Sequence, residues 1–235
     1  YIGHNTSYKW AFLIVSLLGI FTILALIKFM PKLKSLKTVT FKEEIEFFLT
    51  FKAWHIILIV AIGFGGLFAW FSYIAPLLIN VSNFDPAHIS YLMIIAGAGM
   101  VLGNILGGYL ADKKEPIVAA IFLLSLMVFS LILVFFLSQN QITSVILTFI
   151  CGVLAMSIGT PINMVMVRNA KNSEMLAASF MQAAFNVANS LGAFFGGIPL
   201  MFGLSFIYPA LVGSFMAFLG LVLSVIFYIK YIKKG

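Results

Sequence analysis

Apolar residues along this chain gather in long unbroken runs, and polar residues collect in the short breaks between them. The runs cover residues 10–29, 54–79, 89–111, 117–138, 144–167, 176–200 and 207–229. About 20 apolar residues, each rising 1.5 Å along a helix, cross the roughly 30 Å hydrocarbon layer of a bilayer. The pattern therefore predicts an all-α, polytopic transmembrane bundle of seven spans. Composition agrees, because 63% hydrophobic residues, 9% charged residues and a mean hydropathy of +1.13 exceed what a water-soluble core can absorb.

The longest polar break, residues 30–53, divides one span from the other six and reads as a cytoplasmic linker. Within it Thr40-Phe41-Lys42-Glu43 has the form of a capping box, and Phe41, Ile45 and Phe48 recur at spacings of four and three. A short amphipathic helix on the membrane surface is expected there, with Lys42, Glu43 and Glu46 toward water. Asp85-Pro86 and Pro116 are start signals for the third and fourth spans.

A net charge of +7 would suggest a nucleic-acid partner in a soluble protein. Here the basic residues flank membrane spans, so the lipid bilayer is the expected partner and nucleic acid is not. If the chain starts outside, every Lys and Arg except Lys9 falls in an inner segment, which puts the N-terminus outside and the C-terminus in the cytoplasm. The opening Tyr1-Ile2-Gly3-His4-Asn5 lacks an initiator Met and a leader pattern, and reads as an internal piece of a longer protein. The single cysteine, Cys151, lies inside an apolar run and has no partner for an intramolecular disulfide.

Small residues recur every four positions at Gly99, Gly103, Gly107 and Ala111, at Ala184, Ala188, Gly192 and Gly196, and more weakly at Ala61, Gly65 and Ala69. Such stripes let helix backbones approach closely, and paired stripes also suit spans that rock against each other. On the sixth span Gln182, Asn186 and Asn189 fall within about 60° of one another at 100° per residue, away from the small-residue stripe. With Asn104, Thr160, Asn163, Trp70 and Tyr73 they make a candidate midplane cavity offering amide hydrogen bonds and aromatic walls. The alternative use of such amides is interhelical hydrogen bonding, worth about 0.6 kcal/mol each. Pro161, beside Gly159, predicts a bend in the fifth span and a candidate gate hinge, and Pro76 predicts another bend in the second.

No Asp, Glu, Lys or Arg stands in the middle of any run, and His55 and His88 sit at run edges. There is no phosphate-binding loop and no cluster of metal-ligating residues, so neither an ATP motor nor a bound cofactor is expected, and the protein is not expected to be an enzyme.

The third span ends Gly107-Gly108-Tyr109-Leu110-Ala111-Asp112-Lys113-Lys114-Glu115-Pro116. This resembles the cytoplasmic signature of the major facilitator superfamily, Gly-x-Leu-Ala-Asp-Arg/Lys, which Gly108, Leu110, Ala111, Asp112 and Lys113 match. Glu115 and Pro116 depart from the Gly-Arg that follows in that signature, and the corner has no arginine of its own. The segment from Asn186 to Gly197 is similar to the eleventh helix of the bacterial drug:proton antiporter and sugar-efflux branch.

The resemblance implies the C-terminal portion of such a protein. Residues 1–29 would be the last helix of the N-terminal bundle, 30–53 the central linker and 54–235 a six-helix bundle forming half of the fold. It further implies a secondary active transporter in the bacterial inner membrane, exporting a small organic solute, drug-like or sugar, by alternating access in exchange for protons. The proton gradient would be the energy source, and the missing N-terminal bundle a partner and the home of the proton carrier. Gly108 would permit close helix contact, and Asp112 would engage a neighbouring helix N-terminus or cation in one access state. A seven-helix receptor or photoreceptor shares the expected topology, but Lys230 lies at the end of the last run and no external cysteine pair exists. A membrane scaffold without transport is the remaining alternative.

Overall fold

The computed structural model describes residues 8–29, 45–170 and 173–233. The chain divides into two compact units, Tyr1–Thr38 and Val39–Gly235, a division that falls inside the polar segment between the first span and the rest. In the first unit, α1 (Tyr8–Phe29) is an uninterrupted apolar helix. Its hydroxyls turn back on the helix, Ser16 Oγ donating to the Phe12 carbonyl at 2.9 Å and Thr22 Oγ1 to that of Leu18 at 2.8 Å, so neither needs a partner from lipid.

The capping box around Thr40 and the expected apolar contact of Phe41 lie outside the described residues. Where description resumes, a 3-10 turn (Phe47–Leu49) buries Phe48 and leaves Glu46 exposed. Phe48 stacks on Phe180 at 4.1 Å, and Trp54 Nε1 donates to the Phe48 carbonyl at 2.9 Å. Thr50 then caps the next helix, accepting from the Ala53 amide.

The second unit continues with α2 (Phe51–Leu58), a π-helical stretch (Ile59–Phe64), α3 (Gly65–Phe71) and α4 (Ile74–Asn80). After a 3-10 turn (Pro86–His88) come α5 (Ile89–Lys113), α6 (Pro116–Leu137), α7 (Gln141–Ser157), α8 (Gly159–Asn169), α9 (Glu174–Met201) and α10 (Tyr208–Tyr231). Two spans are thus broken, and each break lies about one turn before a proline. Pro76 cannot donate to the Ser72 carbonyl, and α3 ends at Phe71; Pro161 cannot donate to that of Ser157, and α7 ends there. Around the second break the backbone bonds from Ile158 to Leu154 and from Ile162 to Ile158 are stretched to 3.4 and 3.3 Å.

Among the described residues six helical stretches are long and apolar enough to cross a membrane, one fewer than the seven runs predict. The exception is α9. Its 28 residues reach about 42 Å, so length is not the reason. Gln182, Asn186, Asn189 and two serines, set among weakly apolar Ala and Gly, lower its hydropathy.

Within the second unit, the span made of α2, the π stretch, α3 and α4 packs between α9 and α10, while α5 packs on α7 and α6 bridges α7 and α10. Helix α8 reaches α5, α6 and α9 and closes the ring. Lipid tails are as apolar as leucine, so close backbone packing rather than apolar burial must hold these helices together. The glycines show it. A Cβ on Gly103 would strike the Val153 carbonyl and one on Gly107 that of Ser157, while Gly66 and Gly213 would each strike the other's carbonyl oxygen. Ser157 Oγ adds a bond across the first of these contacts, donating to the Gly103 carbonyl at 3.0 Å. On α6 the division between core and lipid is sharp: Leu123, Met127 and Leu131 are buried, whereas Phe122, Phe129 and Phe136, seven residues apart, are exposed.

Candidate functional site

Helix α9 carries two unlike faces. Ala184, Ala188, Gly192 and Gly196 are buried, and Gly192 and Gly196 lie on Gly65 and Ala69 of the second span, so two of the predicted stripes pack on each other. Gln182, Asn186 and Asn189 are exposed. None of these three amides makes a hydrogen bond among the described residues. Asparagines elsewhere do find one within their own helix: Asn80 Nδ2 donates to the Pro76 carbonyl at 2.9 Å and Asn169 Nδ2 to that of Val165 at 2.6 Å. On α9 itself Ser190 Oγ donates to the Asn186 carbonyl at 3.0 Å, so its hydroxyl is satisfied while the amides beside it stay open.

Asn104 is exposed on α5, and Thr160 and Asn163 are half-buried on α8. Helix α8 touches both α5 and α9, so these polar residues stand on three neighbouring helices. Pro161 is buried. Gly159 beside it has open space except toward Phe64, whose ring meets Phe185 of α9 edge-on at 4.7 Å.

The two aromatic residues expected to wall the cavity are placed differently. Trp70 is 2% exposed and sits in the packed core, where a large ring on the second span meets the neighbouring helices. Tyr73 reaches across to α9, its hydroxyl donating to the Ala193 carbonyl at 2.8 Å over Gly197, where a Cβ would crowd the same oxygen. Its ring borders a shallow, mainly apolar hollow of about 480 Å³ shared with Phe194, Leu200 and Met201.

The signature corner is also corrected in two respects. Among the described residues nothing lies within 4 Å of a Cβ on Gly108; Gly107, one residue earlier, makes the close contact. Ala111 is buried, Leu110 half-buried, and Asp112 and Lys113 exposed, with Lys113 Nζ 6.0 Å from the Tyr109 ring centre. Asp112 has no ion pair or hydrogen bond among the described residues. The corner does have an arginine, which the sequence reading missed: Arg168, at the end of α8, lies 3.8 Å from the Glu115 carboxylate. Only a three-dimensional contact joins these two; a basic residue at the end of a span was the one available signal.

The two ends of the bundle differ in charge. One end holds an uncharged network in which Ser82 Oγ donates to the Ser138 carbonyl at 2.6 Å and lies 2.8 Å from Ser144 Oγ, while Gln141 Nε2 donates to the Asn83 carbonyl at 2.9 Å. Asn140 caps α7 there, accepting from the Ile142 and Thr143 amides. The other end gathers the Arg168–Glu115 pair together with Lys52 and Lys230, both near the ring of Tyr231.

Residues 1–197 match the Major Facilitator Superfamily. The chain is 30% identical to AraJ of Escherichia coli (strain K12) over 218 residues, 93% of this chain and 55% of AraJ. It is 28% identical to the inner membrane transport protein YdhP of the same strain over 223 residues, 95% of this chain and 57% of YdhP. A probable sugar efflux transporter of Helicobacter pylori (strain ATCC 700392 / 26695) is 26% identical over 88% of this chain and 53% of its own length. The chain spans about half the length of the curated relatives it matches. Long apolar helices held by glycine contacts, the Gly-x-Leu-Ala-Asp-Lys corner and these matches agree: the chain is a multi-pass membrane protein that belongs to the Major Facilitator Superfamily, a family of transporters and not of enzymes.

Proposed function

We propose that this chain is the C-terminal portion of a secondary active transporter of the bacterial inner membrane, which exports a small organic solute, a sugar or a drug-like molecule, in exchange for protons. The observation that carries the reading is the open amide stripe of α9. Three carboxamides that face away from their own bundle and bond to no protein group among the described residues are costly against lipid, and become useful against a solute that offers hydroxyl or carbonyl groups. Asn104, Thr160 and Asn163 extend that surface on α5 and α8. Trp70 does not belong to it, and Tyr73 serves chiefly to hold the second span to α9.

Alternating access then works by rocking this six-helix unit against an N-terminal bundle around the amide surface. The proline breaks near Tyr73 and Ile158 are places where a span bends without losing its packing, and Pro161 takes the hinge role. Among the described residues Gln182, Asn186 and Asn189 have no titratable neighbour on their own face of α9, and on this reading the proton carrier belongs to the partner bundle. Asp112, exposed and unpaired among the described residues, gains its partner in the opposite access state. On this reading the N-terminus lies outside and the C-terminus in the cytoplasm, supported by the gathering of Arg168, Lys52 and Lys230 at one end of the six-helix unit.

Flux measured on the full-length transporter in vesicles tests the reading. Solute should move against its gradient when a pH gradient is imposed and stop when a protonophore collapses it. Transport indifferent to the pH gradient would remove proton exchange from the account.

A further inference from the structure

Where α2 and α10 emerge from the bundle, three basic side chains converge on one aromatic ring. Lys52 Nζ lies 5.4 Å and Lys230 Nζ 5.2 Å from the centre of Tyr231, and the His55 ring lies 6.0 Å from it. The ammoniums come from different helices, and that pairing is fixed from below: His55 Nε2 lies 3.0 Å from the Leu223 carbonyl, and its ring meets Phe227 edge-on at 5.4 Å. A histidine nitrogen facing a carbonyl carries the proton, so Nε2 is the donor. Neither lysine has an acidic partner among the described residues; the ion pair found there joins Arg168 and Glu115. Lys233, one turn beyond Lys230, is exposed as well.

Two ammoniums beside one ring make this end of the bundle locally positive, and an anion placed against them offsets that charge. The sequence around Lys52 presents exposed apolar side chains: Leu49 is 79%, Phe51 88% and Trp54 53% exposed. Two cations on one aromatic ring, close in sequence to exposed apolar and aromatic side chains at the end of a membrane span, match an amphiphile that joins a phosphate to acyl chains.

We propose that Lys52 and Lys230, both beside Tyr231, form a binding site for the phosphate of an anionic phospholipid, whose chains lie along Leu49, Phe51 and Trp54. The site needs only the membrane-spanning character of the chain and stands whether or not the solute reading holds. The lysines supply charge and hydrogen bonds to the phosphate, and the tyrosine ring holds both ammoniums in place by cation–π attraction.

Native mass spectrometry of the chain released from detergent micelles, with phosphatidylglycerol or phosphatidylcholine added, tests this. The wild-type chain should retain phosphatidylglycerol selectively, and Lys52→Gln/Lys230→Gln should lose at least about tenfold of that selectivity, in line with roughly fivefold for each basic residue facing an anionic headgroup. Lys113→Gln/Lys114→Gln, with equal loss of charge at another corner, should change it less than about twofold, because exposed charges away from the ligand contribute little. Lys230→Gln alone should give an intermediate loss. Unchanged selectivity in the first double variant, or an equal loss in the second, overturns the proposal. Displacement of the lipid by millimolar inorganic phosphate would assign the site to small anions and overturn the lipid part.

Discussion

The two faces of α9 are built from the same helix and answer to different partners. The Ala184, Ala188, Gly192 and Gly196 face is defined by what touches it: a Cβ on Gly192 would lie 2.7 Å from Phe68 Cβ and 2.8 Å from the Ala69 amide nitrogen. The Gln182, Asn186 and Asn189 face is defined by what does not, since these amides are exposed and unbonded within the described residues. One face is therefore explained by its own bundle, and the other requires something outside it. Stability and function should separate along this line.

The largest effect is expected on the packed side. Gly66→Leu drives a side chain into the Gly213 carbonyl and to 2.7 Å from the Ala217 nitrogen, where backbone cannot give way. It should destabilise the bundle by about 3 kcal/mol or more, while Gly97→Leu, which meets nothing within 4 Å, should cost less than about 0.5 kcal/mol. Thermal unfolding in detergent checks both. Similar losses at the two sites would break the distinction between packed and open glycines.

At the signature corner Gly107→Ala should destabilise by about 1–2 kcal/mol through overpacking against Ser157, whereas Gly108→Ala should be neutral or gain up to about 0.8 kcal/mol of helix propensity. Tyr73→Phe removes the bond to the Ala193 carbonyl and should cost about 1 kcal/mol. Smallest of all, Arg168→Gln should change stability by less than about 0.5 kcal/mol, because both members of its ion pair are about half exposed. A larger loss in the same unfolding assay would make that pair part of the packing rather than of the corner's charge pattern.

Much of this architecture is legible in the sequence because its signals are local. Small residues at spacing four mark the contact faces of α5 and α9, and Pro76 and Pro161 mark the broken spans, each break one turn upstream where the carbonyl loses its donor. The amide stripe is legible for the same reason. Polar residues in an apolar run declare a face, and the lowered apolarity of α9 relative to the other long spans follows from them.

What escapes the sequence is the direction of apolar side chains. In water a buried Trp70 and an exposed Phe129 would differ in cost, but in a bilayer lipid and core are equally apolar, so neither residue type nor period separates them. At adjacent Gly107 and Gly108, about 100° apart on the helix, the stripe of spacing four picks the contacting glycine and the signature motif picks the other. The Arg168–Glu115 pair joins segments brought together only by the bundle. The π-helical stretch Ile59–Phe64 contains Gly63 and no proline, and nothing in its sequence announces it.

The central claim, that the open face of α9 meets solute, is tested most directly by measuring solute affinity and melting temperature together on Gln182→Ala, Asn186→Ala and Asn189→Ala in the full-length transporter. Loss of a bond to solute should weaken binding by about 1 kcal/mol or more at Asn186 and Gln182 while the melting temperature stays put. Unchanged affinity with a lowered melting temperature at all three positions would make the amides interhelical contacts to the other bundle, and would contradict the account.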